Sequence, residues 1–184
     1  MTFTLPRPVR FTAEDADRAF DEWGCNCGPG AIAAILGMTL DELRPMLGDF
    51  ESKRYTNPTL MWDILQRLGV KFRSHPREHG WPRYGLARIQ WEGPWTAPNV
   101  PARAAYRHTH WVAAMTLDEP LPPAVKERVG VFDINLIGNT APPGFGGWAA
   151  LTDWSTILVP WLLREAEPKA DGNWHLTHSV EIML

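Results

Sequence analysis

The segment Asn26-Cys27-Gly28-Pro29-Gly30-Ala31-Ile32-Ala33-Ala34-Ile35-Leu36-Gly37 constrains this chain more than any other. Small and apolar residues begin a helix at a cysteine, proline and glycine shape its entry, and Gly37 ends it. A thiol at a helix N-terminus feels the positive end of the macrodipole and unpaired backbone N–H groups, and both favour the thiolate. The same N–H groups suit a developing oxyanion. Cys27 therefore occupies a nucleophile's position, provided that a base lies within reach.

The sequence around this helix divides into a helical first half and a stranded second half. Thr12 with Asp15 caps a short helix through about Phe20, and Thr39-Leu40-Asp41-Glu42 opens another through Leu47 that Pro45 bends or shortens. Asn57-Pro58 begins a third, with Leu60, Met61, Ile64, Leu65 and Leu68 on one face and Gly69 as its stop. From residue 70 the pattern turns to strands: Val70–Arg73, Leu86–Trp91, His108–Met115, Val129–Ile134 and Trp174–Ile182. Residues 75–85 and 92–101 read as Pro/Gly/Trp-rich surface loops, 116–128 as a polar insertion and Gly144–Trp148 as a flexible loop. Thr152 caps a last helix that is interrupted or ended near Pro160. Helices first and an antiparallel sheet afterwards predict an α+β fold, organised as one domain over 1–184.

Composition narrows the function. Hydrophobic residues make up 45% and charged residues 21% of the 184, as in an ordinary globular protein. No apolar run is long enough for a membrane span, and Met1-Thr2-Phe3-Thr4-Leu5-Pro6-Arg7 lacks the apolar core of a signal peptide, so a cytoplasmic protein without membrane partners is expected. The net charge of −3 argues against dedicated nucleic-acid binding. Charge is nevertheless uneven: residues 71–107 hold seven Lys or Arg against two Glu, a solvated basic face or a surface for an acidic partner. Ten tryptophans serve either core and loop packing or an aromatic substrate groove. Cys25 and Cys27 are too close for an unstrained disulfide, which points to reduced thiols. The sequence holds no Gly-rich phosphate cradle, so no nucleotide cofactor is expected.

The chemistry-bearing residues lie far apart in sequence. His108 and His110, two apart on a predicted strand, share a face. Asp133 and Asn135 share a face of the next. If those strands pair, a carboxylate or amide orients an imidazole, and the imidazole takes the thiol proton.

With these residues in view, Asn-Cys-Gly-Pro-Gly-Ala on an Ala/Ile/Leu helix resembles the nucleophile helix of papain-like cysteine peptidases. The likeness is nearest to the branch that processes bacteriocins with double-glycine leaders. The His110-Trp111-Val112-Ala113-Ala114 and Phe132-Asp133-Ile134-Asn135 stretches are similar to that family's histidine and aspartate strands, and the tail resembles small phage or prophage proteins. The resemblance implies a papain-like fold and a cysteine peptidase acting on a peptide or protein, with Cys27 as nucleophile, His110 as base and Asp133 as orienter. His108, Asn135 and Cys25 are the alternates or supporting residues, and no cofactor or metal is implied. The family usually carries a glutamine shortly before the cysteine as oxyanion donor; here Asp21, Glu22 and Trp23 stand in that region, leaving the backbone N–H of Cys27. The same residues also fit acyl transfer, deamidation or cell-wall amide hydrolysis, or a papain-like binding protein without turnover. A Cys₂His₂ zinc site of Cys25, Cys27, His108 and His110 is a further alternative, although its cysteines are closer than zinc sites usually place them.

Overall fold

Thr12 starts the first helix as expected: its side chain accepts from the Asp15 N–H while Asp15 reaches back to the Thr12 backbone, a capping box opening α1 (Ala13–Trp23). Gly24 ends α1 in the left-handed conformation, and α2 (Cys27–Leu36) follows after two residues, ended in the same way by Gly37. A computed structural model describes residues 7–76, 80–117, 128–137 and 147–183 of the chain. The Thr39 capping box opens α3 (Leu40–Leu43), which tightens at Pro45 into a 3₁₀ turn, Arg44–Met46. After α4 (Phe50–Lys53), Asn57 caps α5 (Pro58–Arg67) with Pro58 in its first turn.

The second half forms one six-stranded antiparallel sheet. Its strands are β1 (Phe72–Pro76), β2 (Tyr84–Trp91), β3 (Thr109–Thr116), β4 (Val129–Phe132), β5 (Trp148–Ala150) and β6 (Trp174–Ile182). They lie in the order β1-β6-β2-β3-β4-β5, so the last strand inserts beside β2 at the centre. The fold is α+β.

The two faces of this sheet carry separate cores. Leu86, Trp111, Ala113, Met115, Phe132 and Val180 pack with α1, α2, α3 and α5, while Ala87, Ile89, Trp91, Val112 and Val131 pack beneath the C-terminal helices. Alternate residues of β2 and β3 thus serve opposite layers, which is why β2 is buried along its whole length. Trp81, Trp91, Trp154 and Trp174 meet in the second layer, with ring centroids 5.2–6.4 Å apart. Among the described residues no helix is long and apolar enough to cross a membrane.

Several expectations need correction. The strand expected through Ile134 ends at Phe132, and Ile134–Leu136 is a 3₁₀ turn capped by the Asp133 side chain. Thr152 does not cap its helix: Ala150 holds that position without a side-chain bond. The helix passes from Leu151–Asp153 (α6) through a π-helical turn, Trp154–Leu158, into α7 (Val159–Ala166); Pro160 lies inside this continuous helix just after the π turn, where its missing N–H removes one backbone bond without ending the helix. Most of the expected polar insertion, 118–127, and the loop up to Gly146 lie outside the described residues.

Gly85 tests the central pairing. It lies between Ala114 of β3 and Glu181 of β6, and a Cβ there would run into the backbone carbonyl of Val180. Because backbone cannot swing aside as a side chain does, Gly85→Ala is expected to lower unfolding free energy by about 1–3 kcal/mol or more, read from the urea midpoint at unchanged m-value.

Candidate active site

Three elements bring the reactive side chains together. Cys27 is the first residue of α2, His110 stands near the start of β3, and Asp133 follows the last residue of β4. His110 Nε2 lies 2.9 Å from Asp133 Oδ2, with His110 6% and Asp133 1% exposed. Cys27 and His110 act directly on each other's charge, and since Nε2 faces the carboxylate, Nδ1 is the ring nitrogen left for the sulfur. Cys27, His110 and Asp133 therefore converge in one site.

Asp133 is held from behind. Oδ2 also accepts from Trp154 Nε1 at 3.0 Å, and Oδ1 accepts from the N–H and Nδ2 of Asn135, both at 3.1 Å. The ring of His110 stacks on Trp91, centroids 5.6 Å apart. The imidazole is thus fixed by a carboxylate at one edge and an indole on one face, and the carboxylate by three N–H donors besides His110.

These contacts set the charges. Burial pushes the His110 pKa down, but the charge and hydrogen bond of Asp133, with a further push from Cys27, carry it up to about 10. Burial raises Asp133, and the His110 charge and hydrogen bond, with Trp154 and Asn135, more than offset it, leaving the carboxyl below its ordinary value. An imidazolium–carboxylate pair is the form at neutral pH.

Cys25 also belongs to the site. Its thiol is held low, first by a side-chain hydrogen bond with Cys27, against burial, and further by the Cys27 backbone N–H. Cys27 is raised above the ordinary thiol value, first by the bond with Cys25 and then by burial, with His110 working against both. The two thiols are thus neighbours at the start of α2, and their effects on each other run in opposite directions.

The remaining candidates fall elsewhere. His108 precedes β3, capping the 3₁₀ helix Ala102–Arg107, so the two-residue strand period does not reach it. Its ring stacks on Trp95 at 3.6 Å, and Nδ1 lies 2.9 Å from Glu167 Oε1. That position removes His108 from the four-ligand zinc arrangement, and among the described residues no group of three or more His, Cys, Asp or Glu could hold a metal ion. Asn135 braces Asp133 rather than the imidazole. Asn26 is structural, donating to the Ala16 carbonyl at 2.9 Å. Glu22, from the region of the expected glutamine, pairs with Arg44 on the surface.

Cys25 and Cys27 open onto a cleft of about 940 Å³ between the start of α5 and the sheet. Most of its walls escaped sequence reasoning. They include Thr56, Trp62, Arg54 and His178, with Arg88 opposite both Trp111 on β3 and His178 on β6. Three-residue spacing on an unbroken strand would put His178 and His175 on opposite faces. A register shift between Arg88 and Ile89 places these two opposite Arg88 and Gln90, two residues apart on β2.

Comparisons with protein-family models, curated proteins and solved structures gave no match. The geometry of the site alone bears on function.

Removing the Asp133 charge takes away the main cause that raises His110, leaving burial to push it down. In Asp133→Asn the imidazole should titrate well below about 10, observed by NMR of its ring carbons. His110 is raised above its unfolded value of 6.5, so the stability it lends is complete below pH 6.5 and lost as pH rises through about 10. Asp133→Ala should cost about 3–5 kcal/mol near pH 6, less at alkaline pH, by urea unfolding. Cys25→Ser removes the first cause holding Cys27 up, so the pH midpoint of Cys27 alkylation should fall.

Proposed function

We propose that this chain is a papain-like thiol hydrolase that cleaves a peptide or amide bond through Cys27, His110 and Asp133. The observation that carries the reading is the convergence of a helix-start sulfur, a buried imidazole and the buried carboxylate bonded to it, at the wall of an open cleft. The helices-then-sheet order and the cysteine at the start of α2 support the papain-like assignment.

Chemically, the S–H bond of Cys27 breaks with its proton leaving to water in the cleft, and the thiolate stands beside the His110 imidazolium. The thiolate adds to the substrate carbonyl carbon. As the tetrahedral species collapses, the C–N bond breaks and His110 gives its proton to the leaving nitrogen, so that an amine departs and a thioester remains on Cys27. Neutral His110 then takes a proton from water as the water oxygen adds to the thioester. Collapse releases the carboxylic acid and restores the Cys27 thiolate and the imidazolium. The Cys27 N–H in the first turn of α2 is a donor for the oxygen of that tetrahedral species.

The test is alkylation by iodoacetamide at pH 7, with the modified residue located by mass spectrometry. Cys27 should react at least about tenfold faster in the wild type than in His110→Ala, where the charge that favours the thiolate is gone, and the Cys27 adduct should be absent in Cys27→Ser. Equal rates in the wild type and His110→Ala would sink the hydrolase and leave a binding protein with an inert thiol.

A further inference from the structure

Arg88 is a buried cation without a carboxylate partner among the described residues. It sits on β2 in the middle of the sheet and is 7% exposed. Its Nη1 and Nη2 reach only hydroxyls, Thr177 Oγ1 at 3.4 Å and Thr109 Oγ1 at 3.1 Å, and its Nε has no partner. No carboxylate among the described residues pairs with it. A guanidinium taken out of water without an anion is costly, and sheet interiors do not otherwise keep one.

Two more unsatisfied groups line the same cleft: Thr56 Oγ1 and Trp62 Nε1 are buried without hydrogen-bond partners. Three orphaned polar groups around one cavity mark a place where a ligand completes the bonding. The rim adds Arg54, Arg103 and Arg107 from two different segments, all exposed, and among the described residues no Asp or Glu lines the cavity. Elsewhere the pattern is reversed, since Arg10, Arg18 and Arg44 each pair with carboxylates. Arg54 is also the one non-glycine among the described residues with positive φ, at 56°, where it caps α4 beside the cleft.

We propose that the cleft selects an acidic peptide, binding a substrate carboxylate on Arg88 near the bond that Cys27 attacks, with the rim arginines drawing it in. The inference rests on reading Cys27 as the nucleophile. A carboxylate matches the site in charge and size: one buried cation takes one planar anion, and the Thr56 hydroxyl and Trp62 indole supply neutral hydrogen bonds at its side. A nucleic-acid strand fits less well, because the chain's net charge of −3 repels a polyanion beyond the local patch.

Binding can be measured apart from turnover, by calorimetry on full-length Cys27→Ser protein. The probes are an acetylated, amidated pentapeptide with two glutamates, its two-glutamine counterpart and a short oligothymidylate. The glutamate peptide should bind at least about tenfold tighter than the glutamine peptide. That preference should vanish in Arg88→Gln, and should shrink in a variant with Arg54, Arg103 and Arg107 all changed to Gln, whose exposed sites leave the core intact. Equal binding of the two peptides, or tighter binding of the oligothymidylate, overturns the proposal. Equal binding alongside rapid wild-type alkylation removes acidic selectivity alone; a retained glutamate preference alongside slow alkylation removes the thiol chemistry alone.

Discussion

The arrangement of the site depends on burying Asp133 as an ion. A carboxylate 1% exposed persists only when its oxygens are fully engaged, and here four N–H groups from His110, Trp154 and Asn135 engage them. Each donor comes from a different structural setting: a central strand, the π-helical turn, and the 3₁₀ turn that Asp133 itself caps. The charge therefore ties the C-terminal helical layer to the sheet, and through His110 to the start of α2. Its field also keeps the imidazole protonated, against a burial that alone would neutralise it.

The sulfur end is governed by a different balance. A helix N-terminus offers positive potential and free N–H groups, and both favour a thiolate. In this chain two sulfurs compete for that advantage. Cys25, outside the helix, is held below its ordinary value by Cys27, while Cys27 is raised, first by Cys25 and then by burial, with His110 opposing both. One residue of separation, which forbids an unstrained disulfide, is what lets the first sulfur fold back over the start of the helix.

Local chemistry in the sequence was legible where it was strong. The Thr12, Thr39 and Asn57 caps and the glycine stops at 37 and 69 mark helix ends because each satisfies specific backbone groups within a few residues. The stretch around Cys27, the histidine near the start of β3 and the aspartate after β4 were legible as chemistry-bearing types, and the structure brings all three into one site. Period-two reasoning failed where strands were shorter than their apolar runs: His108 lies before β3 and Asn135 beyond β4, so neither shares the face assigned to it. The cleft was legible only as an excess of basic residues over 71–107, which holds Arg88, Arg103 and Arg107. Nothing local distinguishes a buried, unpaired Arg88 from a solvated one, because its burial follows from β6 inserting beside β2 some 90 residues later.

Two glycines in α2 show how spacing in the site is enforced. Glycine inside a helix costs about 0.8–1 kcal/mol against alanine, so two in the first four residues weaken the helix that presents Cys27. Their positions account for them. A Cβ on Gly28 would stand 2.7 Å from Thr56 Cβ, and one on Gly30 would stand 2.8 Å from Ile134 Cβ. Thr56 forms part of the cleft wall, and Ile134 directly follows Asp133. The missing side chains let α2 lie against both segments at once, setting how far the sulfur stands from the carboxylate on one side and from the cleft wall on the other. Helix propensity is thus given up where closer packing fixes the site, and the loss is offset by the burial of Ala31–Leu36 against the sheet.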